Sequence, residues 1–232
     1  MENHESQGTG GPRSSDSATR TRIVHAAEEI LAEHGLEGLS LRTVTTRAAV
    51  NLASVHYYFG SKDGLVTALV REHFTPINVA RLTSLDAAIA RANGQPPGLE
   101  DVVDAFVEPL LVAHVPSDDP RATIVRRAVG QMLALPPDFS DNLFRETFGT
   151  IASRFHQALS RALPHLDAEE VYWRMHFAVG TLAHLLTHGH ILPDLSEGYC
   201  SLNDLEAARV RVRDFICAGF RLPQTPAAGP VT

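Results

Sequence analysis

Apolar residues recur along this chain at three- and four-residue intervals, the spacing of amphipathic helices. No segment alternates in the two-residue manner of strands, and no internal repeat is present. A first helix is predicted from about Thr21 to His34, with an inner stripe of Ile23, Ala26, Ala27, Ile30 and Leu31 and a stop at Gly35. Ser40 caps a short second helix that turns Leu41, Val44 and Ala48 inward. After a tight turn at Ala49-Val50, Asn51 caps a third helix whose buried side would be Leu52, Val55 and Phe59. Ser61 caps a fourth, carrying Leu65, Ala68 and Leu69 and expected to bend near Pro76. Five more helices are predicted over about 99–114, 119–134, 138–162, 168–188 and 202–219, punctuated by Pro96/Pro97, Pro116, Pro136/Pro137, Pro164 and Pro193. Asp167 with Glu170, and Ser201 with Asp204, have capping-box spacing. The fold class is all-α, with a small N-terminal helical domain and a larger C-terminal one.

Composition sets the limits. The ends, residues 1–19 and 223–232, are rich in Gly, Ser, Thr and Pro and read as disordered tails. Between them lie expected domains at 20–66 and 67–222. No apolar run approaches the roughly 20 residues of a membrane span, and the first residues lack the apolar core of a secretory signal. Two cysteines, Cys200 and Cys217, without metal or redox spacing point to a reduced, cytoplasmic setting. The net charge of −7 argues against nucleic acid until its distribution is considered. Residues 40–62 hold Arg42, Arg47 and Lys62 and no acid, whereas residues 75–232 hold 13 Arg against 18 Asp and Glu. A short basic stretch on an acidic body is the footprint of local DNA contact.

That stretch reads SLRTVTTRAAVNLASVHYYFGSKDGL, two short helices around a tight turn. Ala53, Ser54, His56, Tyr57 and Tyr58 fall outward or at the edge of the second. Small residues let a helix press into the major groove, and hydroxyl and aromatic edges meet phosphates and thymine methyl groups. The run Ala48-Ala49-Val50-Asn51 followed by Val55-His56-Tyr57-Tyr58-Phe59-Gly60-Ser61-Lys62-Asp63-Gly64-Leu65 resembles the turn, recognition helix and fourth-helix start of the TetR family of regulators. The resemblance covers residues 20–74. It implies that Arg42 and Thr43 approach groove and backbone, and that Asn51, Leu52, Ala53 and Ser54 meet base edges or groove walls. It implies phosphate contacts from Tyr57 and Lys62, with His56 standing where many members have Tyr. A glycine is usual where this chain has Ala49, a difference worth about 1 kcal/mol if φ is positive there.

For the remainder, the resemblance implies a ligand-binding and dimerisation domain. Residues 169–180 and the Asn51-Leu52-Ala53 start are similar to a branch with fatty-acid-responsive repressors, which implies an acyl or other apolar effector. Phe106, Met132, Phe148, Phe155 and Trp173 could line an apolar pocket oriented by Gln131, Arg126 or His176, or could simply fill the core. Apolar stripes Val171, Met175, Leu182, Leu186 and Leu202, Leu205, Val212, Phe215, Ile216 could form a symmetric four-helix bundle with a second copy, or face the chain's own interior. The function expected is a ligand-responsive repressor reading a near-palindromic operator as a homodimer, with no cofactor. The alternatives are a metal-responsive regulator using His184, His188 and His190, and a helical enzyme or scaffold that does not bind DNA. No phosphate loop, nucleophile elbow or HExxH supports catalysis.

Overall fold

The computed structural model describes residues 14–113, 119–133, 141–201 and 204–224. Of the expected tails, residues 1–13 and 225–232 lie outside these, as do Leu202 and the breaks at Pro116 and Pro136/Pro137, whereas residues 14–19, expected in the N-terminal tail, open the first helix. Ten α-helices are described: α1 Ser14–Gly38, α2 Leu41–Ala48, α3 Leu52–Phe59, α4 Lys62–Arg91, α5 Leu99–Ala113, α6 Pro120–Leu133, α7 Asp141–Ala162, α8 Ala168–His188, the short α9 Leu192–Leu195 and α10 Leu205–Arg221. No strand occurs among the described residues.

Local chemistry sets most helix ends. Ser40 Oγ accepts from the Thr43 amide at 3.1 Å, and the Thr43 hydroxyl accepts from the Ser40 amide at 2.9 Å, a reciprocal box that satisfies two orphan donors. Asn51, Ser61 and Asp167 cap α3, α4 and α8 as their sequence positions predict. At α10 the cap is Asp204, which accepts from the Ala207 amide, rather than Ser201. The first helix begins at Ser14, earlier than Thr21, and Gly35 breaks it at φ 62 before a last turn to Gly38. The Tyr58 hydroxyl donates to the Asp16 carbonyl at 3.0 Å, a tertiary contact that holds this added turn.

Ala49 ends α2 in the left-handed region at φ 51, where a Cβ carries a steric penalty. Ala49→Gly should therefore raise stability by up to about 1 kcal/mol, read as a higher urea midpoint with unchanged slope. An unchanged midpoint would mean that the turn is unstrained.

Packing joins head and body. The α1 stripe meets Val44 and Ala48 of α2, Val55 and Phe59 of α3, and Leu65, Val66 and Leu69 of α4, all in one hydrophobic cluster. That cluster continues through α5 to α8 and α10. At 30 residues α4 spans about 45 Å and passes through Pro76 without ending, so the boundary expected at 66/67 falls inside one shared helix. Gly130 of α6 lets α8 approach so closely that a Cβ there would lie 2.2 Å from Thr187 Oγ1.

Candidate nucleic-acid interface and sensing core

In α3 the buried positions are Val55 and Phe59, one turn apart, while Asn51, Leu52, Ala53, His56 and Tyr57 are exposed. Leu52 is thus corrected from core to surface: it shares the 55/59 face by spacing, but as the first residue of α3 it stands 49% exposed. Tyr57 is 78% exposed. The small side chain at Ala53 leaves the outer face of the helix open to close approach.

Several predicted contact residues already have internal work. Asn51 Oδ1 accepts from the Ser54 amide at 2.7 Å and the Ser54 hydroxyl at 2.9 Å, leaving the Asn51 amide group as its outward donor. The Thr43 hydroxyl belongs to the α2 cap. His56 Nδ1 donates to the Gly60 carbonyl at 2.6 Å, so the ring braces the end of α3. Lys62 donates to the Leu36 carbonyl at 3.1 Å and is partly buried, clamping the start of α4 to the end of α1. Arg47 pairs with Glu33 at 2.7 Å and Glu29 at 3.8 Å. Of the three basic residues in the acid-free stretch, Arg42 is exposed with no ion pair among the described residues. Sequence reasoning missed Arg22, whose guanidinium reaches the Ala49 carbonyl at 3.5 Å and adds positive charge beside the turn.

In the body, an apolar cavity of about 20 Å³ is lined by Val102, Val103 and Phe106 of α5, Phe155 and Leu159 of α7, Met175 and Ala178 of α8, and Ile216 and Phe220 of α10. It has room for little more than one water molecule, and its walls offer water no partner. Of the predicted ligand residues, Phe106 and Phe155 line it, with rings edge-to-face at 5.2 Å. Met132 is core, and Gln131 and Phe148 are partly buried elsewhere. Trp173 and His176 do not line it: both are exposed on α8, more than a quarter of a turn from Met175 and Ala178.

The stripes expected at a dimer seam fall mostly inside the chain. Val171, Leu182 and Leu186 of α8 and Val212 and Ile216 of α10 are buried in the chain's own core, Met175 lines the cavity, and Leu205 is partly buried against the core. Phe215 is exposed at 69%. Also exposed are Trp173 at 53% and Phe177 at 61%, rings 5.8 Å apart, together with Tyr172 and Leu222. His184 and His188 stack at 4.8 Å, and among the described residues no group of three or more His, Cys, Asp or Glu gathers to hold a metal ion.

One polar cluster ties head to body. Glu28 of α1 is buried; its carboxylate accepts from His73 Nε2 of α4 at 2.6 Å and pairs with Arg121 of α6. Burial holds the His73 pKa below its ordinary value despite the nearby Glu72 carboxylate. His73 is thus a neutral donor to a carboxylate whose charge Arg121 balances.

A family model described as bacterial regulatory proteins, tetR family, matches residues 23–69, and one described as tetracyclin repressor-like, C-terminal domain, matches residues 104–219. The HTH-type transcriptional regulator UidR of Escherichia coli is 35% identical over 52 residues, 22% of this chain and 26% of that protein. The HTH-type nicotine-responsive transcriptional repressor HdnoR of Paenarthrobacter nicotinovorans is 38% identical over 53 residues, 23% of this chain and 27% of that one. The chain therefore spans about a quarter of the length of the curated relatives it matches. The solved structure of SmeT, the repressor of a Stenotrophomonas maltophilia multidrug efflux pump, aligns over 94% of this chain and 100% of its own at TM-score 0.54 and 19% identity, which shows the shared fold. A helix-turn-helix head with an open α3 face, a helical body carrying an apolar cavity, and a match to each half place this chain in the TetR family of transcriptional regulators.

Proposed function

We propose that this protein is a repressor that reads a near-palindromic operator as a homodimer and is released by a small apolar effector. The observation that carries the reading is the α2–α3 unit: a buried seam of Val44, Ala48, Val55 and Phe59 holds up an exposed face of Arg42, Asn51, Ala53 and Tyr57. Arg42 and Tyr57 meet phosphates, and Asn51, Leu52, Ala53 and Ser54 lie against base edges and groove walls. His56 and Lys62 act mainly as braces, with spare donors on the ammonium for a backbone phosphate.

The outer face of α8 and α10, with Trp173, Phe177 and Phe215, pairs with its symmetry mate, which sets two recognition helices about one DNA turn apart. Effector in the body biases α4 and, through the Glu28 cluster, α1. It shifts the equilibrium only by its differential affinity for the two states, typically 1–3 kcal/mol. The setting is the cytoplasm, where the DNA is.

Selection from randomised duplex tests the reading. It should enrich a sequence with two related half-sites, and Arg42→Ala or Tyr57→Ala should each weaken binding to it roughly tenfold. Arg42→Ala should also flatten the salt dependence by about one phosphate per protomer. Failure to enrich any sequence would overturn the proposal.

A further inference from the structure

Arg81 of α4 lies deep in the body, 2% exposed, with no carboxylate of the described residues within ion-pair distance. Its Nε donates to the Phe106 carbonyl at 2.8 Å, and its Nη1 reaches Asn78 Oδ1 at a long 3.4 Å. Nη2 makes no hydrogen bond within the described residues. The Phe106 ring covers one face of the guanidinium, 4.1 Å from its central carbon. Burial pushes the Arg81 pKa down to about 9, and no neighbouring charge offsets it. Arg174, the comparable buried cation of α8, has the Glu170 carboxylate at 2.7 Å and the carbonyls of Gly219, Phe220, Leu222 and Pro223. A buried charge ordinarily has such a partner, because an unbalanced one is expensive to keep from water.

Two further observations place the missing partner. Phe106 is at once the cover of Arg81 and a wall of the apolar cavity, so the cation sits one ring's thickness from that space. Turning the Phe106 side chain would open the way while leaving its carbonyl, the anchor of Arg81, in place. The same polar chain continues from Asn78 Nδ2 to the Thr147 carbonyl at 2.8 Å, and the Thr147 hydroxyl is buried with no hydrogen-bond partner among the described residues. A cation with an unused Nη2 therefore lies behind a wholly apolar cavity, on a polar chain that ends at the carbonyl of a residue whose own hydroxyl is unsatisfied.

We infer that the effector is a hydrophobic monocarboxylate whose head pairs with Arg81 and whose hydrocarbon body occupies an enlarged form of the cavity behind Phe106. A single cation in apolar surroundings balances one negative charge; a dianionic phosphate would leave a second uncompensated. The free Nη edge suits a planar carboxylate, and the Thr147 hydroxyl can donate to it. This inference rests on the regulator reading for its consequence but not for its test.

Calorimetric titration of the full-length protein, without DNA, compares decanoate with 1-decanol and 4-phenylbutanoate with 4-phenylbutan-1-ol. In at least one pair the acid should bind ten or more times more tightly than the alcohol. Arg81→Met, which replaces the charge by an apolar chain, should abolish that preference and leave alcohol affinity within threefold. Arg81→Lys, which keeps the charge, should retain part of it, and both variants should bind the selected duplex like the parent. Absence of binding by both acids, or a preference that survives in Arg81→Met, overturns the inference. Failure of the parent to bind DNA while the acid preference holds would instead sink the regulator reading alone.

Discussion

Replacing Gly64 with alanine should cost about 3 kcal/mol of stability and lower operator affinity at least tenfold, because the added Cβ would lie 1.9 Å from the Phe59 carbonyl oxygen. That oxygen is backbone at the end of the recognition helix and cannot swing aside. Gly64 also donates its amide to Ser61 Oγ at 3.0 Å, the cap that starts α4. Relief of the clash therefore means prising α3 from α4, and the head loses the angle at which it presents Asn51, Ala53 and Tyr57. Gly149→Ala is the matched control: nothing lies within 4 Å of its Cβ, and helix propensity favours alanine by up to about 1 kcal/mol. Urea unfolding and fluorescence anisotropy on the selected duplex read both effects. Equal behaviour of the two variants would show that the α3–α4 turn tolerates displacement.

Glu28→Gln should destabilise the protein by about 3 kcal/mol, since it leaves Arg121 facing no charge at the meeting of α1, α4 and α6. The cluster also has a pH signature. His73 has a lowered pKa in the folded chain, so below about 6.5 the unfolded chain takes up the proton first. Its contribution is full above that pH and is lost as pH falls through the folded-state value. His25, also lowered, with burial the largest cause and Arg121 next, adds in the same direction. The melting temperature should drop between pH 7.5 and 5.5, and His73→Gln should flatten that drop. A profile as steep in His73→Gln as in the parent would assign the acid sensitivity to other groups.

Much of the fold was legible because its signals are local. Ser40, Asn51, Ser61 and Asp167 announce helix starts by what a short side chain can do three residues on, and the α1 stripe announces a buried face by spacing alone. Position was legible; partnership was not. The interior side of α8 could not be read, because Val171, Ala178 and Leu182 on one side and Trp173 and Phe177 on the other are both apolar. Hydrophobic spacing does not distinguish the chain's own core from a surface left for another copy. Lys62 and Arg47 count as free positive charge in the sequence, but Leu36 and Glu33, distant in the chain, engage them in the fold. Arg81 was passed over for a similar reason: a charged residue in an amphipathic helix reads as solvent-facing, and only the packing of α4 against α5 buries it.

A photo-crosslinking residue at position 53, with one at position 79 on the exposed side of α4 as reference, tests whether the outer face of α3 lies in the DNA groove. Position 53 should crosslink to the selected duplex, suppressed by excess unlabelled duplex, and position 79 should not. A crosslink from position 79 with none from position 53 would contradict that placement.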